Sequence, residues 1–156
     1  MSIYSRLLAA VGDRRWFAAV ASRLAPRLDR VVFTLTRGRR LATPASVPTF
    51  FVTTVGRRSG APRRVALSYL QRGGDYIVVG SNFGKIATPE WALNLAANPR
   101  VGVEIGGEEF QAEARAVPIE EQGAYWEAFE AMWPPYATYR TRASNRTISM
   151  FRLAKC

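Results

Sequence analysis

Thr49-Phe50-Phe51-Val52-Thr53-Thr54-Val55-Gly56-Arg57-Arg58-Ser59-Gly60-Ala61-Pro62-Arg63-Arg64-Val65-Ala66-Leu67-Ser68-Tyr69-Leu70 is the stretch on which the reading of the chain turns. Its two arms are rich in β-branched and aromatic residues, which fit a pleated, half-buried surface. A turn containing Gly, Ser and Pro joins them, so the stretch predicts a β-hairpin. Four arginines crowd that turn between Gly56 and Arg64. Solvated guanidinium groups held close together repel, and turn chemistry alone does not select them. An anionic ligand does, because guanidinium pairs with phosphate or carboxylate as a bidentate fork. The spacing is not the G-x-x-x-x-G-K-[ST] of a nucleotide P-loop, so composition stops at an anion, a phosphate or a polycarboxylate. A plainer reading stands beside it: a GC-rich genome favours arginine, and the turn is a solvated face.

Working outward, Arg72-Gly73-Gly74-Asp75 predicts a second turn and residues 76–80 a third strand. Residues 81–87 read as a loop. Thr88 then suits an N-cap with Pro89 at the first helical position, where a missing amide hydrogen costs nothing. The helix predicted over 89–97 points Trp91 and Leu95 inward and closes at Asn98-Pro99. Arg100-Val101-Gly102-Val103-Glu104-Ile105 alternates as a half-buried strand should, and Gly106-Gly107 turns it back into residues 109–117. Residues 119–132 predict an acidic helix with Tyr125, Phe129 and Trp133 on one face, ended by Pro134-Pro135. Residues 135–145 read as a polar, aromatic loop and 147–153 as a last strand. Six strands in hairpins with late helices describe an α+β, mainly β fold: a small six-stranded antiparallel barrel with two inserted helices. No G-x-G-x-x-G follows a strand, which argues against a doubly wound dinucleotide fold.

Ahead of the hairpin, residues 3–37 carry apolar stripes at helical spacing, such as Leu28, Val31, Val32 and Leu35. The expected organisation is a helical extension over 1–42 and a barrel domain over 43–156, with 38–48 a Gly/Pro-broken loop. The polar sides of those helices are studded with arginine. They suit an anionic membrane surface, and equally a cover over the core.

Length and composition narrow the chemistry. The chain has 156 residues and no histidine. Ser-His-Asp and Cys-His catalysis, histidine-held haem and most zinc sites are thereby excluded. Its single cysteine, Cys156, has no partner and no fixed surroundings. An enzyme so equipped relies on a bound organic cofactor. No run of eighteen apolar residues and no secretory leader is visible, so a cytoplasmic setting is expected. Charge is asymmetric: residues 1–72 hold 14 arginines against two aspartates, whereas 73–156 hold eight basic against ten acidic groups. That pattern calls for a negatively charged partner. A nucleic acid fits poorly, because the arginines do not interleave with aromatics on a sheet.

Trp133, Tyr136 and Tyr139, three residues apart around Pro-Pro, are either a packed helix end or a wall over a planar ligand. Ser81 and Asn82 read as turn formers by spacing, Trp91 and Asn94 as core and helix surface.

Three segments together resemble one family. Thr53-Thr54-Val55-Gly56-Arg57-Arg58-Ser59-Gly60-Ala61-Pro62-Arg63 is similar to the TTxGRKSGxxR segment of the deazaflavin-dependent nitroreductases. Ser81 with Pro89-Glu90-Trp91-Ala92-Leu93-Asn94-Leu95-Ala96-Ala97-Asn98-Pro99 resembles their S…PxWyxNLxANP segment, and Trp133-Pro134-Pro135-Tyr136-Ala137-Thr138-Tyr139 with Asn145-Arg146-Thr147-Ile148 their YPxYxxY…RTIP end. The resemblance implies a split β-barrel and coenzyme F420, an 8-hydroxy-5-deazaflavin with a phosphate and an oligoglutamate tail. It implies that Arg57, Arg58, Ser59, Arg63 and Arg64 hold phosphate and tail. Val65, Ala66, Leu67, Val79, Gly80, Ser81 and Asn82 would line the deazaflavin, with Trp91, Ala92 and Asn94 completing the wall. Tyr136 and Tyr139 would close over the acceptor beside Trp133, Ser81 donating a hydrogen bond to it. The implied reaction is hydride transfer from the reduced cofactor to a quinone or nitroaromatic. A non-catalytic carrier of F420, flavin or haem on the same barrel is the alternative. Departures fall on the acceptor side: Trp133 where the family has tyrosine, Ala92 for a tyrosine, Ser149 for the proline of RTIP. The resemblance also leaves room for a homodimer and for peripheral contact with the inner face of the membrane.

Overall fold

The computed structural model describes residues 47–156. The helices expected within 3–37, most of the 38–48 loop and the boundary between 42 and 43 lie outside the described residues.

Six strands close into one barrel: β1 (Thr49–Val55), β2 (Pro62–Arg72), β3 (Asp75–Val79), β4 (Arg100–Ile105), β5 (Glu108–Ala116) and β6 (Met150–Lys155), in the order β1-β2-β3-β6-β5-β4. Every neighbouring pair is antiparallel, and a short β1–β4 ladder, Phe51 to Glu104 through Thr53 to Gly102, seals the ring. Gly106 and Gly107 both take positive φ, which lets two residues link β4 to β5.

Strand alternation divides the apolar residues between two cores. Phe50, Val52, Leu67, Val78, Val103, Phe151 and Leu153 fill the barrel interior. Ile77, Val79 and Met150 face outward into a second cluster, covered by helices. Burying each such side chain stabilises the fold by roughly 1.5–3 kcal/mol. α1 (Glu90–Ala97) seats Ala92 and Leu95 against the interior cluster and so caps the barrel. α2 (Gln122–Met132) and α3 (Pro135–Arg142) build the outer cluster through Trp126, Phe129, Tyr136 and Tyr139.

The structure corrects several expected boundaries. β2 begins at Pro62, so Arg63 and Arg64 lie on the strand and the turn shortens to its glycine-closed core. Residues 119–132 split into a 3-10 turn, Ile119–Glu121, and α2, which buries Trp126 and Phe129 while Tyr125 is only half-buried. Pro89, not Thr88, is the residue before α1. The stretch expected as a loop from 135 is the helix α3, because Pro135 sits at its first position, where proline's fixed φ favours helix. β6 starts at Met150, three residues later than expected.

Candidate active site

The arginine turn is closed on itself. Gly56 N–H donates to Ala61 O at 2.8 Å and Gly60 N–H to Gly56 O at 2.7 Å. A Cβ at Gly56 would lie 2.8 Å from Ser59 Oγ and 3.1 Å from Ala61 O, so a larger residue there has to displace the Ser59 hydroxyl. Ser59 Oγ accepts from Ala61 N–H at 3.3 Å, on the exposed side of the turn.

Two of the four arginines find carboxylates within the protein. Arg57 pairs with Glu90 of α1, and its guanidinium also reaches Asn94 Oδ1 at 3.4 Å. This hydrogen bond to Arg57 holds the Glu90 carboxyl below its usual range. Arg64 pairs with Glu104 and lies 4.1 Å over the Phe51 ring. Arg58 and Arg63 are exposed and have no ion-pair partner among the described residues. Among the described residues these two guanidinium groups of the four are the ones left for an anion from outside. The protein's own acids account for the other pair.

α1 is fastened to this turn by Asn94. Its Oδ1 accepts from Arg57 N–H at 3.1 Å and its Nδ2 donates to Thr54 Oγ1 at 3.2 Å, while Thr54 Oγ1 donates to Arg63 O. Asn94 and Thr54 are 4% and 0% exposed. The start of the same helix packs on the end of β3, where a Cβ at Gly80 would meet Pro89 Cγ at 3.4 Å and Ala92 Cβ at 3.5 Å. α1 thus ties the turn to the loop that carries Ser81 and Asn82. By spacing Trp91 and Asn94 read as core and helix surface, and the family resemblance implied a cofactor wall of Trp91, Ala92 and Asn94. The structure seats Ala92 and Asn94 in the barrel cap and sets Trp91 edge-on to Phe151, because the face of α1 that bears them closes the interior.

On β2 alternation sorts another group. Val65 and Leu67 belong to the interior core, so only Ala66, between them, turns its side chain to the outer face shared with Arg64 and Ser68. Val65 and Leu67 reach that face through their main chain alone. Val79 is likewise committed to the outer core. Further along β2, Ser68 is the hydrogen-bond partner of Tyr136 of α3. Burial pushes the Tyr136 phenol well above its ordinary value of 10.0, against the opposing pull of the Ser68 hydrogen bond.

Ser81 is buried and stands before a 3-10 turn, Asn82–Gly84. Asn82 and Phe83 have φ of 50° and 55°, left-handed values that are costly away from glycine. Gly84 continues the left-handed run, and a Cβ there would lie 2.9 Å from Arg142 Cβ and 3.0 Å from Tyr139 Cα. α3 therefore rests on this loop, and Phe83 meets Tyr139 edge-on at 5.7 Å. Tyr136 and Tyr139 are 8% and 3% exposed, in contact with one another, and Trp133 packs half-buried on the same cluster. The structure brings α3 with Tyr139 onto the loop that follows Ser81, through Phe83 and Gly84, and ties the Arg57 turn to the helix that packs on the start of that loop.

Sequence reasoning assigned nothing to Arg146. Its guanidinium lies against the Ser81 loop, donating to Gly80 O and Ser81 O at 3.0 Å and to Lys85 O at 3.2 Å. Its sequence signal is its place as the arginine of the stretch Asn145-Arg146-Thr147-Ile148, which resembles the RTIP end of the family but carried no role.

A family model for the F420H(2)-dependent quinone reductases matches residues 17–154. The chain belongs to this family. An F420H(2)-dependent quinone reductase of Mycobacterium tuberculosis (strain H37Rv) is 33% identical over 94 residues, which cover 58% of this chain and 62% of that protein. The chain thus spans about three-fifths of the curated relatives it matches. The solved structure of the F420-H2 dependent reductase FDR-A is 34% identical, with a TM-score of 0.61 over 68% of this chain and 93% of that one. A second solved structure, of a domain-swapped dimer, is 31% identical with a TM-score of 0.63 over 81% of this chain and 93% of that one. The barrel expected from the hairpins is therefore the barrel of this family.

Proposed function

We propose that the chain is an F420-dependent oxidoreductase that passes a hydride from the reduced deazaflavin to a planar acceptor, a quinone first and a nitroaromatic second. The observation that carries this, within the family, is a pair of exposed arginines with no ion-pair partner among the described residues, Arg58 in the turn and Arg63 at the start of β2, beside Asn94, which binds the turn through α1 to the Ser81 loop. The residues present fit a phosphate with a polycarboxylate tail. Arg58, Arg63 and the Ser59 hydroxyl would hold those anions, with Arg57 and Arg64 exchanging Glu90 and Glu104 for the ligand. The Ala66 methyl, the main chain at Val65, Leu67 and Gly80, and the polar groups of Ser81 and Asn82 would face the ring system. Bound there, the cofactor supplies a hydride from its C5 carbon.

The protein's own part is orientation, exclusion of water and control of a proton. Tyr136, with its phenol pushed up by burial, stays protonated at neutral pH and can donate a hydrogen bond to an acceptor oxygen. Ser81 is the second donor, and Tyr139 and Trp133 shield the acceptor. The dimeric relative extends the proposal to a homodimer, and the 14 arginines of residues 1–72 extend it to contact with an anionic membrane surface. Among the described residues no helix is long and apolar enough to cross a membrane. The binding test is a pair of fluorescence titrations of the purified protein, with oxidised F420 and with FMN. Saturable F420 binding is expected; tight FMN binding with no F420 response contradicts the proposal.

A further inference from the structure

Arg146 stands between α3 and β6, its N–H donating to Ala143 O at the end of α3. Its guanidinium bonds three main-chain carbonyls of one loop: Nη2 is shared between Gly80 O and Ser81 O, and Nε reaches Lys85 O. Nη1 is closed off from solvent and has no hydrogen-bond partner among the described residues. No carboxylate among the described residues pairs with this cation. Packing alone would not choose a partly buried guanidinium with one nitrogen closed off here, since an apolar side chain of similar length fills space without that cost.

The loop it holds needs holding. Asn82, Phe83 and Gly84 form a left-handed run with φ of 50°, 55° and 76°. The two non-glycine members each cost about 1–2 kcal/mol relative to a right-handed conformation. Such a segment persists where its surroundings over-determine it. Asn82 Nδ2 donates to Ala87 O at 2.7 Å, which ties the far side of the loop, and Arg146 ties the near side. By taking both the Gly80 and the Ser81 carbonyl, the guanidinium fixes the two peptide planes that flank Ser81. A carbonyl bonded to a cation also polarises its peptide, so the N–H on the opposite side becomes a better donor.

We infer that Arg146 is a positioning residue, which fixes the two peptide planes around Ser81 and so aims that residue's donors at the bound ligand. The inference rests on the proposed F420 site for its functional consequence and on the loop geometry alone for its structural one. Arginine is required because its planar fork collects three acceptors in fixed directions, whereas a lysine ammonium keeps the charge and loses the fork.

The test uses the full chain with Arg146→Lys and Arg146→Met, each alone and with Ser81→Ala. Amide hydrogen exchange is read over residues 80–87 and, as control, over β1 and β2; F420 affinity and turnover are read in parallel. Arg146→Lys is expected to accelerate exchange in 80–87 and leave β1–β2 unchanged. It is expected to weaken F420 binding or turnover about tenfold, and less than about twofold once Ser81 is already alanine. Equal, additive losses in both backgrounds, or unaltered exchange in 80–87, overturn the inference. A wild-type chain that does not bind F420 sinks the proposed function, and the exchange pattern still decides the role of Arg146. Should Arg146→Met fail to fold, Arg146→Lys carries both readouts.

Discussion

Replacing Asn94 with alanine tests the joint on which the site is assembled. The side chain is 4% exposed and joins three segments: its Oδ1 receives Arg57 N–H and its Nδ2 reaches Thr54 Oγ1, itself bonded to Arg63 O. Alanine removes both of these bonds and the longer one from the Arg57 guanidinium, and leaves a part-buried N–H without a partner and a fully buried hydroxyl with one fewer. Orphaned buried groups cost about 1–3 kcal/mol each, so the loss is about 3 kcal/mol, or about 10 °C in Tm for a domain of this size. The same change frees the turn from α1, so affinity for F420 should fall together with stability. Thermal unfolding followed by circular dichroism measures the first, and a fluorescence titration the second. Asn94→Asp keeps an acceptor for Arg57 N–H but cannot donate to Thr54, and should lie between alanine and wild type. A Tm within about 1 °C of wild type for Asn94→Ala would refute the staple, because a buried network cannot lose both bonds at no cost.

Gly84→Ala should be costly twice over, through a positive φ and through collision with the Tyr139 main chain. We expect a loss of about 2 kcal/mol or more in denaturant unfolding, with turnover falling as α3 shifts. Tyr136 gives a pH prediction. Its folded-state pKa is raised above 10.0, so its contribution to stability is complete below that value and is lost as pH rises beyond it. Tyrosinate absorbance should then report Tyr136 only upon alkaline unfolding, and Tyr136→Phe should shift that unfolding to higher pH. Removing residues 1–25 should reduce co-sedimentation with anionic vesicles and leave neutral vesicles unaffected; equal binding by the shortened chain argues against membrane contact.

The hairpins were legible because period-2 alternation and Gly-Gly turns are local signals, and β1, β4 and β5 lie within a residue or so of where they were read. α3 was not, because Pro134-Pro135 ends one helix and starts the next, and only the tertiary contact of Tyr136 and Tyr139 with the outer core distinguishes the two uses. At the site, the Gly56–Arg64 turn announced an anion, but the sequence could not show that Glu90 and Glu104, 33 and 40 residues away, occupy two of its arginines. Nor could strand alternation alone tell which of Val65, Ala66 and Leu67 faces outward, since all three are apolar. Arg146 stood in a quoted motif, but its role could not be read, because its partners are carbonyls, which every residue possesses.

The central claim is tested most directly by supplying purified protein with reduced F420 and menaquinone and following the reappearance of oxidised F420. The account predicts protein-dependent oxidation that requires the quinone and falls steeply when Arg58 and Arg63 are both changed to alanine, with the fold unchanged. Tight F420 binding with no oxidation in the presence of quinone or nitroaromatic acceptors would contradict it, and would make the chain a carrier of the cofactor instead.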